Sequence, residues 1–113
     1  MSLGADRDGR DPEALHLVAV DEKRVIGTCR VLVQGPLARL GRLAVEPDQR
    51  RRGIAAEILD AAGAVAREAG ASEIDLHAQT YALPLYQAAG YAERGEEFVE
   101  EGIRHVAMRK PLA

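Results

Sequence analysis

The sequence predicts an α/β (α+β) domain built on a single mixed, mostly antiparallel sheet with flanking helices. Three observations predict it. Short apolar runs with β-branched residues follow one another closely before residue 46. The apolar period then becomes helical over residues 54–69. A further short apolar run at 72–78 lies between two helical patterns, and strand–helix–strand order gives a parallel pair with a right-handed crossover.

The elements follow in chain order. Residues 1–13 are polar and carry Gly and Pro; they read as a loop-like or disordered start, with "MSLG" an expression scar. The folded domain is expected over 14–113. "LHLVAV" (15–20) is a strand, "DEKR" a turn and "VIGTCRVLVQ" (25–34) a second strand. "GPL" breaks it, and "ARLGRLAV" (38–45) is a third strand, ended by Pro47. The three form an antiparallel meander. Ile54, Ile58, Ala62, Val65 and Ala69 recur at helical spacing, with Leu59 and Ala66 beside them and Gly70 as a C-cap. "SEIDLHA" (72–78) is the next strand, and "ALPLYQAAG" (82–90) a short helix closed by Gly90. The remainder reads as a hairpin turning within Glu97 to Gly102. The predicted order is β-β-β-α-β-α-β-β.

Composition narrows the function. The chain has 113 residues, 47% apolar and 29% charged, which suits one packed domain. A net charge of −3 argues against a nucleic-acid binder. No apolar stretch is long enough to span a membrane, so no membrane partner is expected. Cys29 is the only cysteine, which excludes an internal disulfide and a cysteine-based metal site. A cytoplasmic protein without a metal is the expectation.

Against that acidic balance stands "DQRRRGIAAEIL", with Arg50, Arg51 and Arg52 at the mouth of a helix. The first amide N–H groups of a helix have no internal acceptor, and the helix dipole favours an anion there. Gly53 removes a side chain where a bulky group must approach the backbone, and Ala55 does much the same one step on. Such a loop wraps N–H groups around a phosphate. Basic runs before helices are also ordinary solvated surface. Yet a positive charge at a helix start opposes the dipole by roughly 0.3–1 kcal/mol, which argues for a purpose. Neither a Gly-Lys-Ser/Thr P-loop nor a Gly-x-Gly-x-x-Gly fingerprint is present.

"LGRLAVEPDQRRRGIAAEIL" (40–59) resembles the acetyl-CoA-binding core of the GNAT superfamily of N-acetyltransferases. "QTYALPLYQAAGY" (79–91) resembles that family's second signature, with Gln79 in place of Asn and with Ala82, Tyr86, Gly90 and Tyr91 matching. "GR" at 41–42, "AQ" at 78–79 and "FVEEGIRHVAM" at 98–108 are similar to the ElaA-like branch.

The resemblance implies a fold whose fourth and fifth strands splay apart around a pantetheine arm. It puts Leu43, Ala44 and Val45 at that splay, one of them an N–H donor to the thioester oxygen. Arg50, Arg51, Arg52, Gly53, Ile54 and Ala55 would hold the pyrophosphate, and the Gln79 amide would still bond backbone groups. Tyr86 falls at the family's proton-donor position, and is otherwise a packed helix tyrosine. His105 matches a branch motif position and has the titration range of a base, or is a satisfied sheet histidine. His77 reads as structural, although its strand faces the cofactor gap. The implied activity is direct acetyl transfer from acetyl-CoA to a primary amine of a small molecule or peptide. A non-catalytic acyl-CoA-binding module, an inactive truncated domain and a plain interaction domain are the alternatives. Five hairpin glutamates (93, 96, 97, 100 and 101) would attract a cationic amine, or simply solubilise the surface. The family's N-terminal strand and helices are expected to be missing, leaving a sheet edge open to self-association or a homodimer.

Overall fold

The computed structural model describes residues 1–7, 13–50 and 52–112. Seven strands form one sheet: β1 (Ser2–Arg7), β2 (Ala14–Asp21), β3 (Arg24–Gln34), β4 (Leu37–Val45), β5 (Glu73–Gln79), β6 (Ala92–Glu100) and β7 (Ile103–Pro111). Their order in the sheet is β1-β2-β3-β4-β5-β7-β6. Among the described residues only the β4–β5 pair is parallel. The crossover between them is α1 (Ile54–Glu68); α2 (Leu83–Ala88) links β5 to β6 after a 3-10 turn at Thr80–Ala82.

The expected meander, crossover helix and hairpin are all present. The tight turns are carried by left-handed residues: Glu22 and Lys23 between β2 and β3, and Glu101 and Gly102 between β6 and β7. Two consecutive positive φ values match the twist of a two-residue hairpin turn. The short helix expected over 82–90 divides into the 3-10 turn and α2, because Pro84 suits a first helical turn and Gly90, at φ +96°, ends it.

The start of the chain corrects two expectations. Ser2–Arg7 are not loop-like: they pair antiparallel with β2 from Ser2↔Val20 to Arg7↔Leu15. The edge expected to lack its strand therefore carries one. Every described side chain of β1 is exposed, so backbone pairing rather than apolar alternation makes this strand. Among the described residues no helix stands between β1 and β2.

The core lies between α1 and one face of the sheet. Ile58, Leu59, Ala62 and Ala66 of α1 pack among Leu17, Ile26, Cys29, Val31, Leu40, Ile74, Leu76 and Met108. Burying an aliphatic side chain of this size contributes about 1.5–3 kcal/mol. Strand alternation sends the intervening residues to the other face: Arg30, Arg39, Asp75, His77 and Arg109. The two faces thus have opposite chemistry, one apolar under the helix and one lined with charge.

Candidate active site

The parallel pair is short. β4 and β5 pair only at Leu37↔Glu73, Ala38↔Ile74 and Arg39↔Asp75. From Leu40 to Val45 the inner edge of β4 has no β5 partner, so a wedge opens toward the C-terminal ends of both strands. Leu43, Ala44 and Val45 lie on this unpaired stretch. Such an edge exposes backbone donors and acceptors to any ligand entering the gap.

The closed end of the wedge is pinned by charge. Asp75, 7% exposed, accepts Arg39 Nε at 2.9 Å and Arg109 NH2 at 3.4 Å. One carboxylate thereby ties β4, β5 and β7 together. The bond to Asp75 pushes the Arg39 guanidinium above its ordinary range.

At the open end, β4 runs through a 3-10 turn (Pro47–Gln49) into the start of α1. Gly53 is the N-cap at φ +76°, and no side chain caps the helix. The first helical bond is Glu57 N–H to Gly53 O at 3.1 Å, so the amides of Ile54, Ala55 and Ala56 have no helical acceptor. A Cβ built on Gly53 would meet nothing within 4 Å, so the approach is open. The arginines tie the loop down: Arg50 Nε donates to Val45 O at 3.3 Å, and Arg52 donates to Gln49 and lies 4.0 Å from Asp21. Arg51 lies outside the described residues. Ile54 is buried in the core.

A cavity of about 380 Å³ occupies the wedge. Its walls are Leu40 to Leu43 of β4, Leu76, His77 and Gln79 of β5, Tyr81 and Ala82, Tyr86 of α2, and Glu101 and His105 of the hairpin. Tyr86 meets Tyr91 edge-on at 6.2 Å, and burial raises its pKa, so it stays a protonated phenol at neutral pH. Cys29 is buried and its thiol is pushed up to about 12 by burial, so it offers no thiolate.

Two histidines share one carboxylate. His77 Nδ1 lies 3.4 Å from Glu100, and His105 Nε2 lies 3.8 Å from the same group. His105 is 7% exposed, donates its Nδ1–H to Ile103 O at 2.8 Å and stacks on Phe98. His77, which reads as structural in the sequence, is partly open and lines the cavity. Glu100, at the Nδ1 side, orients the ring, the arrangement that positions a histidine base.

Arg42 enters the sequence reading only through the "GR" resemblance at 41–42, with no role attached to it. Here Arg30 pairs with Gly41 and Thr28 with Ala44, so Arg42 and Leu43 stand opposite Cys29 in a bulge. Arg42 adopts φ +56°, a conformation that costs a non-glycine residue about 1–2 kcal/mol. Bulges of this kind re-aim a side chain next to a site.

Comparison with known proteins shows what the chain is similar to in sequence and in fold. The sequence pattern of the acetyltransferase (GNAT) domain matches residues 5–112. A Bacillus subtilis protein provisionally named an acetyltransferase is 36% identical over 95 residues, covering 84% of this chain and 65% of that protein. The chain thus spans about two thirds of that relative's length. An aminoglycoside 6'-N-acetyltransferase solved with coenzyme A superposes with a TM-score of 0.80 at 17% identity, over 92% of this chain and 76% of that one. Escherichia coli ElaA superposes with a TM-score of 0.79 at 20% identity, over 93% and 74%. At these identities both likenesses are of fold.

Proposed function

The chain belongs to the GNAT acetyltransferase family, and on that premise we propose that it transfers acetyl directly from acetyl-CoA to a primary amine of a small molecule or peptide. The observation that carries the reading is the wedge. Pairing of β4 with β5 stops after three residues, Tyr86 lines the cavity in the opening, and the chain leaving the unpaired end of β4 runs through one 3-10 turn into the uncapped start of α1.

Acetyl-CoA supplies an activated thioester. The residues present fit it. Amides 54–56 and the open face of Gly53 suit a diphosphate, with Arg50 and Arg52 as nearby positive charge. Leu43, Ala44 and Val45 offer backbone groups along the wedge, one of them an N–H for the carbonyl oxygen. Ile54 and Ala55 contribute backbone, and Gln79 lines the wall opposite β4.

The transfer forms a C–N bond as the amine nitrogen attacks the thioester carbonyl, and it breaks the C–S bond. An amine is protonated at neutral pH and must lose a proton to attack. His77, backed by Glu100, takes that proton, and His105 holds Glu100 in place from the other side. Tyr86, kept as a neutral phenol by burial, gives a proton to the departing sulfur, and the second proton of the attacking nitrogen, released as the amide forms, restores the phenol.

The test pairs calorimetry with acetyl-CoA and thiol release across a panel of amines. Tyr86→Phe is expected to lower kcat by about 10²-fold, the low end for a lost general acid, with acetyl-CoA affinity held within about threefold. Tight binding without turnover on any amine would leave a binding module. Absence of binding would remove the reading.

A further inference from the structure

We propose that the acceptor is a small zwitterion, an amine that also carries a carboxylate, bound with its two charges on opposite walls beside the wedge. The inference rests on the acetyltransferase reading above and names the substrate class of that site.

A second cavity of about 360 Å³ adjoins the first and shares Leu40, Gly41, Arg42 and His77 with it. It lies on the charged face of the sheet, away from α1. Its two walls differ in sign. Arg30, Arg39 and Arg42 line one side, and Glu100 with His77 lines the other. A small amine seated here would present its nitrogen to His77, which lines both cavities and so is placed beside the path from acceptor to thioester.

The cationic wall has one uncommitted member. Arg39 is held by Asp75. Arg42 makes no hydrogen bond or ion pair with any described residue, and its bulged, left-handed backbone turns it to both cavities. A guanidinium so held is suited to a carboxylate, which it receives in a bidentate fork. The ammonium end of the same molecule matches Glu100. A second ammonium would instead meet Arg42, and like charges at close range exclude a partner more strongly than contacts select one.

Gly41 lines both cavities. Gly41 has no left-handed φ that would demand glycine, and a Cβ there would meet nothing within 4 Å. Its missing side chain leaves room beside the two spaces rather than relief of backbone strain.

The experiment measures initial rates with acetyl-CoA on matched acceptors: glycine, β-alanine and glutamate, their carboxamides, ethylamine and spermidine. The carboxylates are expected to exceed their amides by about tenfold or more in kcat/KM, the scale of one charge-assisted pair. Arg42→Gly suits the left-handed backbone, so the variant folds. It should raise KM for the carboxylates about tenfold, leave kcat and acetyl-CoA affinity within about twofold, and erase the preference, with Arg42→Lys restoring part of it. Gly41→Val should raise KM for every acceptor. Amides or spermidine used as well as the carboxylates, or an unchanged KM in Arg42→Gly, would overturn the proposal while the acetyltransferase reading stands. No acetyl-CoA binding at all would overturn both.

Discussion

Gly53 concentrates the cofactor argument at a single residue. Its φ of +76° is left-handed, and space beside it is open, so a Cβ there meets nothing within 4 Å. Any loss must then come from backbone strain or from what approaches the helix start. Gly53→Ala isolates the strain, about 1–2 kcal/mol of stability, and should keep acetyl-CoA affinity within about threefold. Gly53→Glu adds a carboxylate where a diphosphate would sit. It favours the empty helix dipole yet should weaken acetyl-CoA binding by about tenfold or more in calorimetry. Equal affinity in the two variants would end the helix-start argument. Gly53 was legible because a glycine before a helical period has few other uses. Arg42 was not: in "LGRLAV" it reads as one more strand residue, since nothing local announces a bulge set by the pairing of β3 with β4. His77 was undervalued for the same reason. Its partner, Glu100, is 23 residues away and meets it only through the hairpin.

At the scale of elements, the wedge depends on where pairing stops as much as on the ligand. Asp75 marks that point, gripping Arg39 of β4 and Arg109 of β7 across its own strand. Removing its charge should let the paired end of the wedge breathe. Asp75→Asn keeps the shape and is expected to cost about 1–3 kcal/mol, with faster amide exchange at Leu37–Arg39 and weaker acetyl-CoA binding. Unchanged exchange across that stretch would show that backbone pairing alone holds the strands. The sequence revealed most elements, because β-branched alternation and the helical period both report burial. It concealed β1, whose described side chains are all exposed and whose strand character comes from β2. It concealed the pin as well, since an aspartate inside an apolar run gives no hint of two arginine partners from distant strands.

The whole molecule divides its chemistry between the two faces of one sheet, and the apolar face has a testable consequence of its own. Cys29 sits in the core beneath α1 with its thiol pushed up to about 12 from 9.0, by burial. Burial also raises Tyr86 and, beyond the reach of ordinary titration, Tyr91. All three groups are neutral when folded and would become anions when unfolded. As pH climbs from about 9 to about 12, the unfolded chain releases the Cys29 proton that the folded chain keeps. The unfolded state then binds fewer protons, so stability falls as pH rises, by about 1.4 kcal/mol per pH unit once that thiol is ionised. The tyrosines steepen the loss from about pH 10 upward. For a domain of this size, whose total stability is of the order of 5–15 kcal/mol, the loss is a large share. Urea unfolding between pH 8 and 11 should therefore show a declining free energy, and Cys29→Ala should flatten the decline between pH 9 and 10 by close to one proton. The same slope in both proteins would mean that the thiol is as exposed in the folded chain as in the unfolded one. The apolar face would then not be sealed against water beneath α1, and the covered half of the fold would have to be redrawn.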